Sequence, residues 1–356
     1  MRCRRPAARR GPPPRPPLAL LLAATALVAF CATPAAGHPP ATTALPLPSP
    51  PPGPDPFPAR FSAPYVESWG PPDVLQAARQ ATGLAYFTIG FVVDDGSCAP
   101  EFGGDVPLTA PAWTAAIAEL RAHGGDVIAS LGGGGGREPA LSCRSSDALT
   151  AAYRRVVDTL GLRRLDFDVE GKALQDSRSI DLRNAALAEL QHEYAALGRP
   201  LAVQYTLPSN PWGLSDDGLR LLRNARAHGV AVDLVNAMTM DYGPDLAMGD
   251  AAVRAAGDLE QQLAVIWPER TDAQLWAMTG NTPMIGTNDA VNEVFTEQDA
   301  RQLAAFADEK GIRLLSYWSL GRDHPCATGE KSPTTCTGVS QQPWAFTRIL
   351  GRQQPS

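Results

Sequence analysis

The 356-residue sequence lacks the short motifs that mark nucleotide-binding and zinc-binding proteins. The glycine run from Gly132 to Gly136 follows a predicted strand, but no Lys-Ser or Lys-Thr pair completes it as a nucleotide-triphosphate loop. No dinucleotide-binding fingerprint is present, and the cysteine spacing matches no zinc pattern. We expect no metal or organic cofactor. The glycine run is then either a flexible connection or a place where the backbone passes close to a ligand.

The N-terminal part has no acidic residue before Asp55, and its apolar run at about 18–32 is too short to span a bilayer comfortably. Six arginines precede this run, and small residues follow it. The order basic, apolar, small is typical of a secretory signal, which we place at 1–37. A buried N-terminal helix is the alternative. A lipoprotein anchor at Cys31 is disfavoured because bulky Phe30 precedes it.

A proline-rich spacer is expected at 38–58, because 17 of the 34 prolines lie within the first 58 residues. Without the signal, Lys and Arg fall from 31 to 25 against 37 acids, so the formal net charge moves from −6 to −12. Such an acidic surface argues against nucleic acid and anionic membranes as partners. We expect a secreted, extracellular monomer.

Four of the six cysteines remain after removal of the signal. An even number in a secreted chain suggests two disulfide bonds. The simplest pairing is Cys98 with Cys143 and Cys326 with Cys336, one of three possible connectivities.

Short apolar runs alternate with helical patterns from residue 61 onward. The predicted strands are 61–67, 84–93, 126–132, 164–170, 201–207, 232–240, a run within 275–286, and 313–320. The clearest helices are 111–123, 146–160, 180–197, 216–228, 250–266 and 297–310. Eight strands separated by helices indicate a single (β/α)₈ TIM barrel, placed at 59–352, with a doubly wound open sheet as the alternative.

A row of acids on the fourth predicted strand is the most informative feature. Asp166, Asp168 and Glu170 share one strand face, because side chains alternate in direction along a strand. The opposite face is apolar and suits packing against helices, which turns the acids into the barrel: it carries Leu165, Phe167 and Val169. Repulsion and desolvation should raise at least one carboxyl pKa and keep a proton available for general acid catalysis.

Three other interpretations of this row compete with catalysis. In them the acids line a solvent-exposed strand face, hold a divalent cation as Asp-x-Asp pairs do elsewhere, or are buried against arginine partners without chemistry. The buried-strand pattern argues against the first, and no histidine or further carboxylate obviously completes a metal shell. We therefore favour catalysis.

Asp166-Phe-Asp168-Val-Glu170 resembles the strand-four motif D-x-x-D-x-D-x-E of glycoside hydrolase family 18, the chitinases. Three further features share this resemblance, which covers about 61–350. Ser130-Leu131-Gly132-Gly133 is similar to the S-x-G-G motif of strand three in that family, and Met238-Thr-Met240-Asp241-Tyr242 is similar to its strand-six motif M-x-Y-D. Trp318 lies where the family has a tryptophan on strand eight. Two departures suggest a divergent bacterial branch: Arg163 replaces the outermost Asp, and Met240 replaces the tyrosine that supports the substrate acetamido group.

The resemblance implies retaining hydrolysis of a β-1,4 bond beside N-acetylglucosamine, with the substrate's own acetamido oxygen as nucleophile. Glu170 would be the general acid and base, Asp168 would orient the acetamido group and stabilise the oxazolinium ion, and Asp166 would support Asp168. Expected substrate-binding residues are Trp318, Met238, Asp241, Tyr242, Gln204, Ser130, Gly132 and, at an outer subsite, Trp212.

Several positions near these stay open. Alternation lets only one of Gln204 and Tyr205 point inward, and Tyr65 and Glu67 belong either to the pocket or to an ion pair. We expect His192 on the surface. The alternative functions are an endo-β-N-acetylglucosaminidase acting on N-glycans and a non-catalytic carbohydrate-binding barrel. No appended chitin-binding module is recognisable, so we expect poor binding to crystalline chitin.

Overall fold

The computed structural model describes residues 56–135, 137–243, 245–330 and 334–351. The expected signal at 1–37 and the spacer up to residue 55 lie outside this range. The strands are β1 Phe61–Ser62, β2 Tyr65–Glu67, β3 Tyr86–Asp94, β4 Pro100–Phe102, β5 Asp126–Gly132, β6 Arg164–Asp168, β7 Ala202–Asn210, β8 Gly213–Leu214, β9 Val232–Thr239, β10 Thr279–Pro283, β11 Gly286–Thr287, β12 Val294–Phe295 and β13 Leu314–Leu315. The helices are α1 Val74–Thr82, α2 Pro111–Ala122, α3 Ser146–Leu160, α4 Gly171–Gln175, α5 Ser177–Ala196, α6 Asp216–Ala227, α7 Met248–Ile266, α8 Asp272–Trp276, α9 Glu297–Lys310 and α10 Ala345–Leu350.

Parallel strands close into a barrel. The order around the sheet is β1, β13, β10, β9, β7, β6, β5, β3, β2, with every neighbouring pair parallel. β1 and β2 are two parts of one barrel position, because Ala63 between them donates from its backbone to Leu315 at 3.3 Å. The described strands thus fill eight positions, which confirms the predicted (β/α)₈ barrel. Within the described residues, no helix is long and apolar enough to cross a membrane.

Local signals explain where the helices begin and end. Ser145 caps α3 by accepting a hydrogen bond from the Ala148 amide at 3.2 Å, and left-handed Gly161 ends that helix. The six predicted helices agree with the structure to within three residues at each end. α1, α4, α8 and α10 were not predicted, and three of these four are only five or six residues long.

The seventh strand lies within the predicted window 275–286, as β10 Thr279–Pro283. The first two residues of that window belong to α8, because Thr271 and Gln274 form a reciprocal capping box that starts a helix there. The eighth predicted strand, 313–320, is hydrogen-bonded as β13 only over Leu314–Leu315.

The N-terminal end of the barrel is closed by an aromatic cluster. Phe57 is buried, and its ring centroid lies 5.1 Å from that of Phe61 and 4.8 Å from that of Tyr86. The Arg164 guanidinium lies 5.4 Å from the Phe57 ring centroid. Phe57 therefore packs with the barrel, two residues before the expected boundary at 59.

Candidate active site

A cavity of about 800 Å³ opens at the carboxyl end of the barrel strands. Asp168 and Glu170 lie in its wall together with Trp318. Loops at this end of a (β/α)₈ barrel commonly form active sites. The acid row, which alternation alone predicted, therefore reaches a cavity large enough for sugar rings.

The fourth barrel strand presents its acids inward as predicted. Leu165, Phe167 and Val169 belong to the apolar core between barrel and helices, which leaves Asp166 and Asp168 on the other face. β6 ends at Asp168, so Glu170 lies just beyond the strand as the residue preceding α4. This position at the strand end brings its carboxyl group into the cavity wall.

Asp166 is fully buried beneath the cavity and accepts four hydrogen bonds. Tyr65 and Ser130 donate to its Oδ2 at 2.8 and 2.6 Å. Thr206 and Gln204 donate to its Oδ1 at 2.8 and 3.1 Å. Burial raises the pKa of Asp166, while these hydrogen bonds act in the opposite direction. Both oxygens are thus satisfied, and the side chain is held in one orientation.

Asp168 and Glu170 both have raised pKa values, in the direction that the sequence predicted. Burial raises the pKa of Asp168 well above its ordinary value, and the charges of Glu170 and Asp166 raise it further. Burial also raises the pKa of Glu170, while its hydrogen bond with Asp168 lowers it. The Oδ1 atom of Asp168 has no hydrogen-bond partner among the described residues. Burial therefore favours the protonated form of both carboxyl groups relative to carboxyl groups in water.

The glycine run lies against this acid pair. Gly132 has φ +113°, and a Cβ atom there would be 2.1 Å from the Asp168 carbonyl oxygen. The Gly133 amide donates to the same oxygen at 3.0 Å. A Cβ atom on Gly134 would approach Glu170 Oε1 to 3.4 Å. Gly132 therefore permits close contact with the fourth strand, and it is not among the described residues that line the cavity.

Four other residues expected to bind substrate are not among the described residues that line the cavity. Ser130 and Gln204 hydrogen-bond Asp166 below the cavity, because the strand register places both beside it. Tyr242 is not among the described residues lining the cavity, and burial raises its pKa. Trp212 is 58% exposed on the turn between β7 and β8, also away from the lining. The position of Trp212 depends on the path of a loop, which strand alternation does not predict.

Met238, Asp241 and Trp318 do line the cavity, as expected. Met240, which replaces the tyrosine of the resembled motif, lines it as well. Gln204 points into the barrel whereas Tyr205 points outward and donates to Asn184, which settles the alternation between them.

The sequence leaves Tyr65 and Glu67 open between the pocket and an ion pair. Tyr65 lines the cavity, whereas Glu67 is not among the described lining residues and accepts a hydrogen bond from Ser319. Arg163 is buried. His192 is exposed on α5, as expected.

Aromatic rings form a continuous strip along one wall of the cavity. Trp318 stacks on Phe91 with ring centroids 5.6 Å apart and an interplanar angle of 12°. Trp69, 64% exposed, lies 6.3 Å from Trp318. Sequence reasoning missed Phe91 and Trp69, although Trp69 follows the first barrel strand by two residues, at the end where such sites form. The strip offers flat faces for sugar rings.

Both expected disulfide bonds are present in the structure. Cys98 pairs with Cys143 and Cys326 with Cys336. The first bond joins the loop after β3 to the segment that follows the glycine run. Among the described residues, no cluster of three or more His, Cys, Asp or Glu side chains is arranged to hold a metal ion.

No protein-family model matches the chain, but individual relatives do. A probable bifunctional chitinase/lysozyme of Escherichia coli (strain K12) is 37% identical over 309 residues, covering 83% of this chain and 34% of that protein. Endochitinase 11 of Metarhizium anisopliae is 36% identical over 286 residues, covering 76% of this chain and 54% of that protein. The chain thus spans about a third and about half of the length of these two curated relatives.

Solved structures show the same similarity. The catalytic domain of the hyperthermophilic chitinase from Pyrococcus furiosus superposes with a TM-score of 0.74 at 34% identity, covering 83% of this chain and 95% of that one. A GH18 chitinase from Pseudoalteromonas aurantia has a TM-score of 0.53 at 14% identity, covering 73% of this chain and 93% of that one, and supports the fold alone.

Proposed function

Because this chain belongs to glycoside hydrolase family 18, the chitinases, we propose that it hydrolyses β-1,4 bonds in N-acetylglucosamine polymers or oligomers. The observation that carries this proposal is the Asp168–Glu170 pair, whose pKa values burial raises and which lies in the cavity wall with Trp318. A retained proton next to a flat ring is what a glycosidase needs to protonate a leaving oxygen.

The reaction follows the substrate-assisted route, in which the acetamido oxygen of the cleaved sugar attacks its own anomeric carbon. Glu170 donates its proton to the glycosidic oxygen as the bond to the leaving sugar breaks. The resulting oxazolinium ion carries positive charge, which Asp168 stabilises. Water then attacks the anomeric carbon, the bond from that carbon to the acetamido oxygen breaks, and Glu170 takes up the proton that this water loses.

Asp166 acts through Asp168 rather than on substrate. Its four hydrogen bonds keep its carboxylate fixed one strand step, about 6.5 to 7 Å, below Asp168. Its negative charge raises the pKa of Asp168. Asp166 is therefore a positioning residue that favours the protonated form of Asp168.

We test the proposal with Glu170→Gln and a chitin hexamer as substrate. The amide keeps the shape of Glu170 but carries no transferable proton, so we expect kcat to fall by at least about 10²- to 10⁴-fold. Glu193→Gln on the outer helix layer is the matched control and should retain full activity. A folded Glu170→Gln variant that still releases reducing ends would overturn the role of Glu170.

A glycoprotein substrate, used beside the chitin hexamer, separates the alternative functions. Glycan release from a high-mannose glycoprotein, without cleavage of the chitin hexamer, would identify an endo-β-N-acetylglucosaminidase. Binding of the hexamer without any cleavage by the wild-type protein would identify a carbohydrate-binding barrel.

We further propose that the chain is exported and acts as an extracellular monomer. The basic, apolar, small order at 1–37 and the two disulfide bonds support export. The N-terminal sequence of protein recovered from culture medium tests it. An uncleaved chain retained in the cytoplasm would contradict export.

A further inference from the structure

Asn236 lies in the middle of β9, inside the barrel and below the substrate cavity. Its side chain is completely buried, and it is not among the described residues that line the cavity. We propose that Asn236 is a positioning residue that acts through Thr206 to hold Asp166 as an ionised hydrogen-bond acceptor beneath the acid pair. This inference rests on the proposed function, because it concerns the proton balance of the same site.

A chain of hydrogen bonds joins Asn236 to Asp166 across three neighbouring strands. The strand register places Asn236 beside Thr206 on β7, and Thr206 beside the fourth-strand acids on β6. Asn236 Nδ2 donates to Thr206 Oγ1 at 3.1 Å, and Thr206 Oγ1 donates to Asp166 Oδ1 at 2.8 Å. A single side chain therefore connects Asn236 with the acid row.

The hydroxyl group of Thr206 has one hydrogen and two lone pairs. Asn236 Nδ2 occupies one lone pair, and the Tyr65 hydroxyl oxygen lies 2.9 Å from the same Oγ1 atom. An amide nitrogen only donates, so the Thr206 hydrogen does not point toward Asn236 and is available to Asp166. A protonated Asp166 needs an acceptor instead, yet its Oδ1 faces this occupied hydroxyl and the Gln204 amide nitrogen. The surroundings of Oδ1 therefore suit the ionised form of Asp166.

Asn236 is held in place from the opposite side by β10. Its Nδ2 and Oδ1 atoms lie 2.6 and 2.9 Å from Thr282 Oγ1. The register also places Gly280 beside Asn236, and a Cβ atom on Gly280 would lie 2.9 Å from Asn236 Oδ1. A side chain at position 280 would displace the amide, so glycine provides the space that the amide fills. The donor to Thr206 is thus fixed before substrate binds.

Few groups near Asp166 exchange protons in the pH range of enzyme assays. The titratable and charged groups around it are Tyr65 on β2, Arg164 and Asp168 on β6, and Glu170 just beyond β6. Burial raises the pKa of Tyr65 well above its ordinary value, so this hydroxyl stays neutral. Arg164 is linked to Asp166 through Gln204, which accepts from Arg164 Nη1 at 3.5 Å. The side chains that face Asp166 from β5, β7 and β9 are neutral: Ser130, Gln204, Thr206 and Asn236.

The charge of Asp166 affects catalysis through Asp168. Burial raises the pKa of Asp166, whereas its hydrogen bond from Thr206 lowers it. Without the Asn236 donor, Thr206 has a free lone pair that a protonated Asp166 can use. Asp166 should then take up a proton at a higher pH, and its charge would no longer raise the pKa of Asp168.

The experiment measures kcat/KM for the chitin hexamer between about pH 3 and about pH 9, since this profile reports the pKa values of the free enzyme. Asn236→Leu keeps the size of the side chain and removes its donor. We expect the acid limb to move to higher pH by about 0.5 to 1 pH unit, the effect of one neutral hydrogen bond. The basic limb should change little.

Asn281→Leu is the matched control. Asn281 on β10 is as completely buried as Asn236, but it faces the helices, where its Nδ2 donates to the Ala252 carbonyl oxygen at 3.0 Å. Its replacement should leave the acid limb at the wild-type pH, whatever it does to stability. Loss of a buried amide alone would therefore not reproduce the expected shift.

A double-variant cycle tests whether Asn236 acts through Thr206. Thr206→Val should move the acid limb in the same direction, and Thr206→Ser, which keeps the hydroxyl group, should restore its position. Asn236→Leu should then add little in the Thr206→Val background, because the connecting hydroxyl is already lost. Additive shifts would contradict the inference. Thr282→Val loosens Asn236 from the other side, so it should shift the same limb even if Asn236→Leu does not fold.

The outcomes separate this inference from the function on which it rests. If wild type releases no reducing ends from the hexamer at any pH, the proposed function is wrong. If wild type is active and a folded Asn236→Leu variant keeps the wild-type acid limb, only the positioning role of Asn236 is wrong. A raised KM with an unmoved limb, or an equal loss of kcat/KM at every pH, would likewise overturn that role.

Discussion

The buried ion pair of Glu138 and Arg183 supports the glycine run beside the acid pair. Arg183 Nη2 lies 2.7 Å from Glu138 Oε2, and both side chains are almost completely inaccessible to solvent. Glu138 also accepts hydrogen bonds from the Tyr153 hydroxyl at 2.5 Å and the Ala140 amide at 3.0 Å. Its Cβ atom is 3.7 Å from where a Cβ on Gly132 would lie.

We predict that Arg183→Met is strongly destabilising. It leaves the Glu138 carboxylate buried with two neutral donors and no countercharge, which costs about 3 to 5 kcal/mol of unfolding free energy. This corresponds to about two to four powers of ten in the folding equilibrium. The double variant Glu138→Gln/Arg183→Met removes both charges, and the amide oxygen can still accept from Tyr153. We therefore expect the double variant to be more stable than the single one.

Urea unfolding followed by tryptophan fluorescence, without reductant, measures these differences. Arg154→Met is the matched control, because the Arg154–Glu193 pair also involves α5, which it joins to α3, but is partly exposed. Loss of the Arg154–Glu193 pair should lower the unfolding free energy by no more than about 1 kcal/mol. An Arg183→Met variant as stable as the control, or a double variant no better than the single one, would refute the reasoning.

Two further predictions concern the acid pair and the base of the barrel. The raised pKa of Asp168 means that the folded state binds its proton more tightly than the unfolded state, so stability falls as pH rises above 3.8. The melting temperature of Asp168→Asn should therefore exceed that of wild type at pH 7, and by more than it does at pH 3.5. An equal difference in melting temperature at the two pH values would count against this prediction. Phe57→Ala should lower the unfolding free energy by about 3 kcal/mol in urea titrations while kcat stays unchanged, because it opens the aromatic cluster at the opposite end from the cavity. Unaltered stability would show that Phe57 does not belong to the folded unit.

Much of the fold was predictable because its signals are local. Alternation with period two identified the acid face of β6, and a cap such as Ser145 marked the start of a long helix. The short elements were less predictable. The segment around Leu275 is apolar enough to suggest a strand, yet the capping box at Thr271 makes it helical.

The site was predictable only in part, since residues of different strands meet in it. The inward direction of Asp168 and Glu170 follows from spacing along one strand. Phe91 and Trp69 were missed because their contact with Trp318 depends on how three separate strand ends come together. The outer subsite expected at Trp212 stays a prediction, because a loop aromatic carries no period that assigns it to a wall.

The sequence by itself determined the barrel, the acid row on one face of its fourth strand and the resemblance to family 18, because each depends on residues close together in the chain. Only the tertiary structure decided what surrounds those acids. The closed sheet's register brings Ser130 and Gln204 beside Asp166 and removes them from the cavity. Burial, which raises the pKa of Asp168, likewise comes from packing between distant segments.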